Sequence, residues 1–242
     1  MLLDSEKMYN ANDITHKNAM AWFERRRAVY DKLVDAVYPY LNSDSIIFDI
    51  GANIGYFTHH LVGKLEFNGS IYLFEPVPHL ARLCQATFTD APFQVQILNF
   101  GLSDENTERQ IFVSNDGNLG WNTLIEEKAT PDMTKIPVEL RAFDSCGIDV
   151  KPSFIKIDVE GAEYKVFRGM LGSIKTWDPL PVILCEIAWG PSHPDWQEEI
   201  EILNEMKKIG YAMYTLDGKP VEENSIMTTT DVLFIPRKAQ DH

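Results

Sequence analysis

Cysteine is nearly missing from this 242-residue chain: Cys84, Cys146 and Cys185 are the three, widely spaced and without a CxxC pair. That excludes a disulfide framework and a paired-cysteine zinc site, and it reads as reduced residues in a reducing compartment. Long apolar runs are missing too. No window approaches ~18 consecutive apolar residues, and the opening MLLDSEKMYN lacks the apolar stretch of a signal peptide. The expectation is a cytoplasmic protein with no membrane partner. Positive charge is in deficit, with 22 Lys+Arg against 36 Asp+Glu and a net charge of −14. Such a field repels phosphate backbones and argues against a nucleic-acid partner. The densest basic run, Arg25-Arg26-Arg27, reads as a solvated helix face. There is no GxxxxGK[ST] loop, no HExxH and no GxSxG elbow, which removes kinase, zinc-protease and serine-hydrolase readings.

What is present fits one α/β domain with extra elements: apolar residues make up 45% of the chain and charged residues 24%. Residues 1–17 are polar and read as loosely held. From Asn18 to Leu41, Phe23, Tyr30, Val34, Val37 and Leu41 recur at helical spacing, and Pro39 marks an end or a kink. The prediction is a single cap helix, so residues 1–44 form a helical extension and 45–242 the main domain. Five β-branched or apolar runs follow: Ser45–Ile50, Ser70–Phe74, Phe93–Leu98, Phe154–Ile157 and Val182–Ile187. Apolar on both faces, they suit buried parallel strands. Helix-length segments near 56–65, 78–89, 162–175 and 194–209 lie between them, the pattern of a doubly wound sheet. Tyr211–Leu216 and Asp231–Pro236 read as two closing strands, the last antiparallel. Residues 103–145 interrupt the alternation with a strand pair, Gln110–Ser114 and Ile136–Phe143, around a Gly/Asn/Trp loop.

The strongest local signal is Phe48-Asp-Ile-Gly-Ala-Asn-Ile-Gly-Tyr-Phe57, a strand ending in a small-residue turn that opens a helix. Gly51 permits a sharp turn and close approach to a ligand, Gly55 close packing of the helix on the sheet, and Asn53 tolerates left-handed geometry. The helix start offers free N–H groups. Glu75 ends the second strand 20 residues beyond Gly55, where an acid can accept ribose hydroxyls in nucleotide-binding α/β folds. Its other reading is an exposed loop carboxylate that caps the next helix.

Ile157-Asp-Val-Glu-Gly-Ala-Glu163 stands where the fourth strand hands over to a helix. If the strand continues, Asp158 and Glu160 share a face. Either carboxylate could take a proton from an acceptor, or bind a divalent ion that lowers a hydroxyl's pKa. Alternatively Glu160 and Glu163 only oppose the helix dipole. Glu186 faces the same edge. His193 is a third candidate catalytic group beside Asp158 and Glu160, although next to Pro194 it also suits a helix cap. His59 and His60 are adjacent in a helix and point apart. Gly120-Trp-Asn-Thr-Leu124 borders the substrate or, at Trp121, belongs to the core.

The segments FDIGANIGYFT, FEPVP, LNFGLSD, IKIDVEGAE and LCEI, in this order and spacing, resemble the FkbM methyltransferases from about Ile46 to about Pro236. The resemblance implies a Rossmann-like seven-stranded sheet, order 3-2-1-4-5-7-6 with strand 7 antiparallel. It also implies S-adenosylmethionine as cofactor. Asp49, Gly51, Asn53 and Gly55, with Tyr56 beside them, would surround its methionine end, and Glu75 its ribose. Asn99 and Asp104 would lie near its adenine. Asn53 stands where class I methyltransferases usually carry the middle of three glycines, as is usual for FkbM-type sequences. The acceptor implied is a hydroxyl on a small molecule, a sugar or secondary metabolite. Two other readings share this topology. A nicotinamide-dependent oxidoreductase is disfavoured by the G-x-x-x-G turn, which lacks the G-x-G-x-x-G pyrophosphate cradle. A binding module without turnover is the other.

Overall fold

The computed structural model describes residues 14–115 and 117–237. Seven strands form the main sheet: β1 (Ile46–Ile50), β2 (Ser70–Phe74), β3 (Gln94–Leu98), β8 (Phe154–Ile157), β9 (Val182–Ile187), β10 (Tyr211–Tyr214) and β11 (Thr230–Pro236). Their spatial order is β3-β2-β1-β8-β9-β11-β10. β11 is the one reversed strand, antiparallel to both β9 and β10. The expected strand order and the reversed last strand are both present.

Alternate residues of the central strands feed two apolar faces. Phe48, Ile50, Ile155, Ile157 and Cys185 pack under α5 (Glu163–Thr176) and α6 (Trp196–Ile209). Ile47, Ile71, Leu73, Phe154 and Leu184 pack under α2 (Arg27–Val37) and α3 (Tyr56–Val62). Phe48, Phe74, Phe154 and Phe167 are fully buried, each worth about 1.5–3 kcal/mol of transfer free energy. The three cysteines are free, with Cys84 and Cys185 buried.

The N-terminal segment departs from the single helix expected. It is two helices, α1 (His16–Glu24) and α2, broken where Arg26 adopts φ −105, ψ 8. The physical reason is that the halves bury against different surfaces. Trp22 and Phe23 join Ile54, Tyr56, Leu80 and Val113, whereas Leu33, Val34 and Val37 join Leu61, Val62 and Phe67. One straight stripe cannot reach both. Pro39 lies in the short 3-10 turn Tyr38–Tyr40 that follows α2. Of the segment read as loosely held, residues 1–13 lie outside the described residues; Ile14 is buried and α1 begins at His16.

The interruption is larger than a strand pair. β5 (Thr107–Val113) and β7 (Thr134–Arg141) pair antiparallel as expected, and β4 (Gly101–Leu102) and β6 (Asn122–Thr123) extend them to a four-stranded sheet, β4-β7-β5-β6. This second sheet leans over the carboxyl ends of β1, β2 and β8, the edge where open α/β sheets bind ligands.

Candidate functional site

At that edge a cleft of about 530 Å³, counting the open solvent at its mouth, is lined by Gly51, Asn53, Glu75, Pro76, Gly101, Leu102, Ile111, Gly120, Asn122, Leu124, Leu140, Asp158, Val159 and Glu160. Three turns of the main sheet make its floor and the inserted sheet its roof. Pro76, Leu102, Ile111 and Leu140 supply an apolar part of the lining, and Glu75, Asp158 and Glu160 supply its carboxylates.

The turn after β1 is shaped by left-handed backbone at Gly51 (φ 79), Asn53 (φ 54) and Gly55 (φ 76). A Cβ on Gly51 would stand 1.8 Å from the Asp158 carbonyl oxygen. Glycine is therefore required at 51 because two chain turns meet there. At Gly55 a Cβ would strike the Phe88 ring and Cys84 Sγ, so this glycine lets α3 pack on α4 (Pro78–Thr87) rather than on the sheet.

Glu75 is buried, not an exposed loop carboxylate. Its Oε2 accepts from Asn53 N–H at 2.8 Å and its Oε1 from Val77 N–H at 2.8 Å. Burial raises this carboxyl to about 7, against the pull of those two backbone donors. Asn53 also donates from Nδ2 to the Leu119 carbonyl at 2.7 Å, while its Oδ1 is buried with no partner among the described residues. Thr123 Oγ1 donates to the Glu160 carbonyl at 2.6 Å. Asn53 and Glu160, both left-handed, thus tie the inserted sheet to the floor.

Asp158 and Glu160 do meet, by a different route from strand alternation. β8 ends at Ile157, and Glu160 turns with φ 54. Asp158, Glu160 and Glu186 each present a carboxylate oxygen within 4.8 Å of the others, a donor set that could hold one divalent cation. Burial, then the neighbouring Asp158, raises both the Glu160 and the Glu186 carboxyls. Glu163 does more than oppose a dipole: its Oε1 accepts from Val159 N–H and Gly161 N–H and so shapes this turn.

Several residues expected at the ligand stand elsewhere. Asp49 is fully buried behind the cavity, accepting from Thr58 Oγ1 at 2.7 Å, because odd-numbered β1 positions face α3. Tyr56 turns away and donates to Glu24 of α1 at 2.7 Å, stacked on Phe23. Asn99 is exposed and donates to the Glu75 and Pro76 carbonyls, bracing that turn from outside. Asp104 is exposed and lies beside Gly169 of α5; Gly101 and Leu102 line the cavity instead. His193 is not placed as a base. Its Nδ1 accepts from Asp195 N–H at 2.9 Å, which leaves the proton on Nε2 to donate to the Gly161 carbonyl at 2.7 Å. Both ring nitrogens are used, and burial lowers its pKa. His59 and His60 point apart, one to Phe88 and the other to Asp31.

One charged group was not singled out from the sequence. Lys156, 5% exposed in the centre of β8, places Nζ 3.0 Å from Asp158 Oδ2 and 3.6 Å from Asp49 Oδ1. Burial favours the neutral amine, but Asp158 and Asp49 outweigh it and raise the lysine. Burial likewise favours the neutral form of Asp49 and raises its carboxyl, against the pull of the Lys156 ammonium and the Thr58 hydroxyl. The signal was a lysine inside an apolar strand, which cannot stay charged there without a partner.

A family model described as the methyltransferase FkbM domain matches residues 49–213, more than half of the chain. The chain belongs to the FkbM methyltransferase family. The FkbM domain covers the cavity floor and the inserted sheet and leaves α1 and α2 outside. The hexuronic acid methyltransferase AglP of Haloferax volcanii is 27% identical over 164 residues, 68% of this chain and 63% of that protein. The chain thus spans less than two thirds of that relative's length. Among solved structures, a putative rRNA-methylase from Clostridium thermocellum aligns with TM-score 0.53 and 9% identity over 87% of this chain and 96% of that one. The O-methyltransferase TomG from Streptomyces achromogenes aligns with TM-score 0.50 and 12% identity over 97% and 93%. At those identities they show a shared fold.

Proposed function

We propose that this chain is an S-adenosylmethionine-dependent O-methyltransferase whose acceptor is a hydroxyl on a sugar-like small molecule, not a nucleic acid. One observation carries the reading: the cavity joins an apolar stretch of lining, a buried carboxylate at the end of β2 and a carboxylate pair at the end of β8. These features fit the cofactor part by part. Leu102, Ile111, Leu140 and Pro76 would flank an adenine. Glu75, whose oxygens keep free lone pairs beyond one backbone bond each, would accept from the ribose hydroxyls. The unpartnered Oδ1 of Asn53 would meet the positively charged methionine end. When bound, the cofactor supplies a sulfonium methyl whose departing thioether needs no proton.

The chain's own residues then have two tasks, aligning the acceptor oxygen and removing its proton. Asp158 lines the cavity, stays partly open, and is ion-paired through Oδ2; it takes the proton. Glu160, held protonated by burial and its neighbours, donates a hydrogen bond to a second acceptor oxygen. The named relative acts on a hexuronic acid, which supports a sugar-like acceptor here. Calorimetry with S-adenosylhomocysteine and with NAD, followed by methyl transfer from labelled cofactor to neutral and acidic sugars, tests the reading. Binding of S-adenosylhomocysteine and label on a sugar oxygen are expected. Tight NAD binding without S-adenosylhomocysteine binding overturns it.

A further inference from the structure

We infer that Lys156 is the positioning residue of the transfer reaction, a buried clamp that orients the Asp158 carboxylate toward the acceptor. The inference rests on Asp158 acting as the proton acceptor. β1 and β8 are parallel neighbours with Asp49 directly opposite Lys156, so both side chains leave the sheet on the α3 face. Thr58, on the first turns of α3, donates to Asp49 Oδ2. Asp49 Oδ1 faces the ammonium at 3.6 Å, and the ammonium holds Asp158 Oδ2 at 3.0 Å. The ammonium lies over the Phe57 ring, 5.6 Å from its centroid. The result is a line of polar contacts, Thr58–Asp49–Lys156–Asp158, from a fully buried helix residue to the cavity edge.

Each link has a physical task. Asp49 is fully buried, so its carboxyl can reach the cavity only through the lysine. Lys156 is 5% exposed and is not among the residues that line the cavity, so it acts through Asp158. Asp158 follows the last strand residue; its N–H still pairs with the Ile50 carbonyl at 3.0 Å, but its side chain is 34% exposed and needs a partner to fix its direction. An ammonium on one carboxylate oxygen restricts its rotation and leaves the other oxygen for the acceptor hydroxyl. Because preorganisation of a reacting pair acts on turnover rather than on ground-state binding, its loss lowers kcat more than it raises KM.

Lys156→Met alone would strand a buried Asp49 charge and unfold for that reason. The deciding variant is Asp49→Asn/Lys156→Met, in which Thr58 can still donate to the amide oxygen introduced at position 49. Thermal unfolding, S-adenosylhomocysteine affinity, acceptor KM and kcat are measured on the whole chain beside Asp158→Asn. The expected result is a folded double variant with cofactor affinity and KM within about threefold of wild type and kcat reduced about 30- to 100-fold, the range of a lost orienting contact. A folded double variant with kcat within threefold of wild type overturns the inference, because Lys156 would then only offset Asp49. If the double variant does not fold, Lys156→Gln decides, because its amide NH2 can still donate to Asp49 while it carries no ammonium for Asp158: cofactor affinity retained with kcat down at least tenfold supports the clamp, and kcat within threefold of wild type overturns it. Full turnover in Asp158→Asn would instead overturn the proton-acceptor reading, and the inference with it.

Discussion

Glu75 offers the sharpest quantitative test of the cavity. Its carboxyl is 5% exposed and raised by burial to about 7, from an ordinary value of 4.5. Ribose hydroxyls donate, so they bind the ionised form. In the free protein roughly one Glu75 in ten is ionised at about pH 6 and nine in ten at about pH 8. Affinity for S-adenosylhomocysteine should therefore rise about tenfold between those two conditions. The sign for stability is opposite: a raised carboxyl stabilises the fold fully below about pH 4.5, and that contribution is lost as pH rises through about 7. Glu75→Gln keeps the shape but does not titrate, and its NH2 opposes either the Asn53 or the Val77 N–H. Losing the charge-assisted bonds costs about 1.5–3 kcal/mol, or about 10- to 150-fold in Kd. Calorimetry at three pH values on both proteins reads all of this. A flat wild-type profile, or a Gln variant with unchanged affinity, refutes the ribose assignment.

Asp158→Asn is expected to lower kcat about 10²- to 10⁴-fold with cofactor affinity unchanged, read by labelled methyl transfer; turnover near wild type excludes a base there. His193→Gln should lower stability by about 1–3 kcal/mol through its two lost backbone bonds and keep kcat within severalfold; a hundredfold fall would restore His193 as a base. Gly51→Ala, with φ 79 and a Cβ 1.8 Å from the Asp158 oxygen, should lose more than about 3 kcal/mol in denaturant titration. Glu163→Gln retains the acceptor for Val159 and Gly161. Since burial raises Glu163 to about 7, the wild type should lose stability between about pH 5 and pH 8 relative to this variant, by about 1–3 kcal/mol; parallel stability curves would contradict that.

Strands and helices of the main sheet were legible because apolar runs of strand length alternate with helix-length segments, and that signal is local. The Gly51–Gly55 turn and the placement of Glu75 and Asp158 at one edge were legible for the same reason: each ends a strand, and parallel strands bring their carboxyl ends together. Which way a side chain points was not. Asp49 and Tyr56 stand inside the recognised motif, yet one faces Lys156 and the other Glu24. His193 reads as a base until both its nitrogens are seen bonded to backbone.

What the amino-acid order alone determined is the list of parts: seven strands, a small-residue turn, an acid at the tip of β2 and an acid pair after β8. Periodicity and turn chemistry are properties of neighbouring residues, so they survive without coordinates. Only the tertiary structure decided which acids share a space, that the inserted sheet roofs the cavity through Leu119 and Thr123, and that a lysine in β8 lies between Asp49 and Asp158. Those facts depend on register and on distances between residues about a hundred positions apart in the chain, as with Asp49 and Lys156, and no local pattern encodes them.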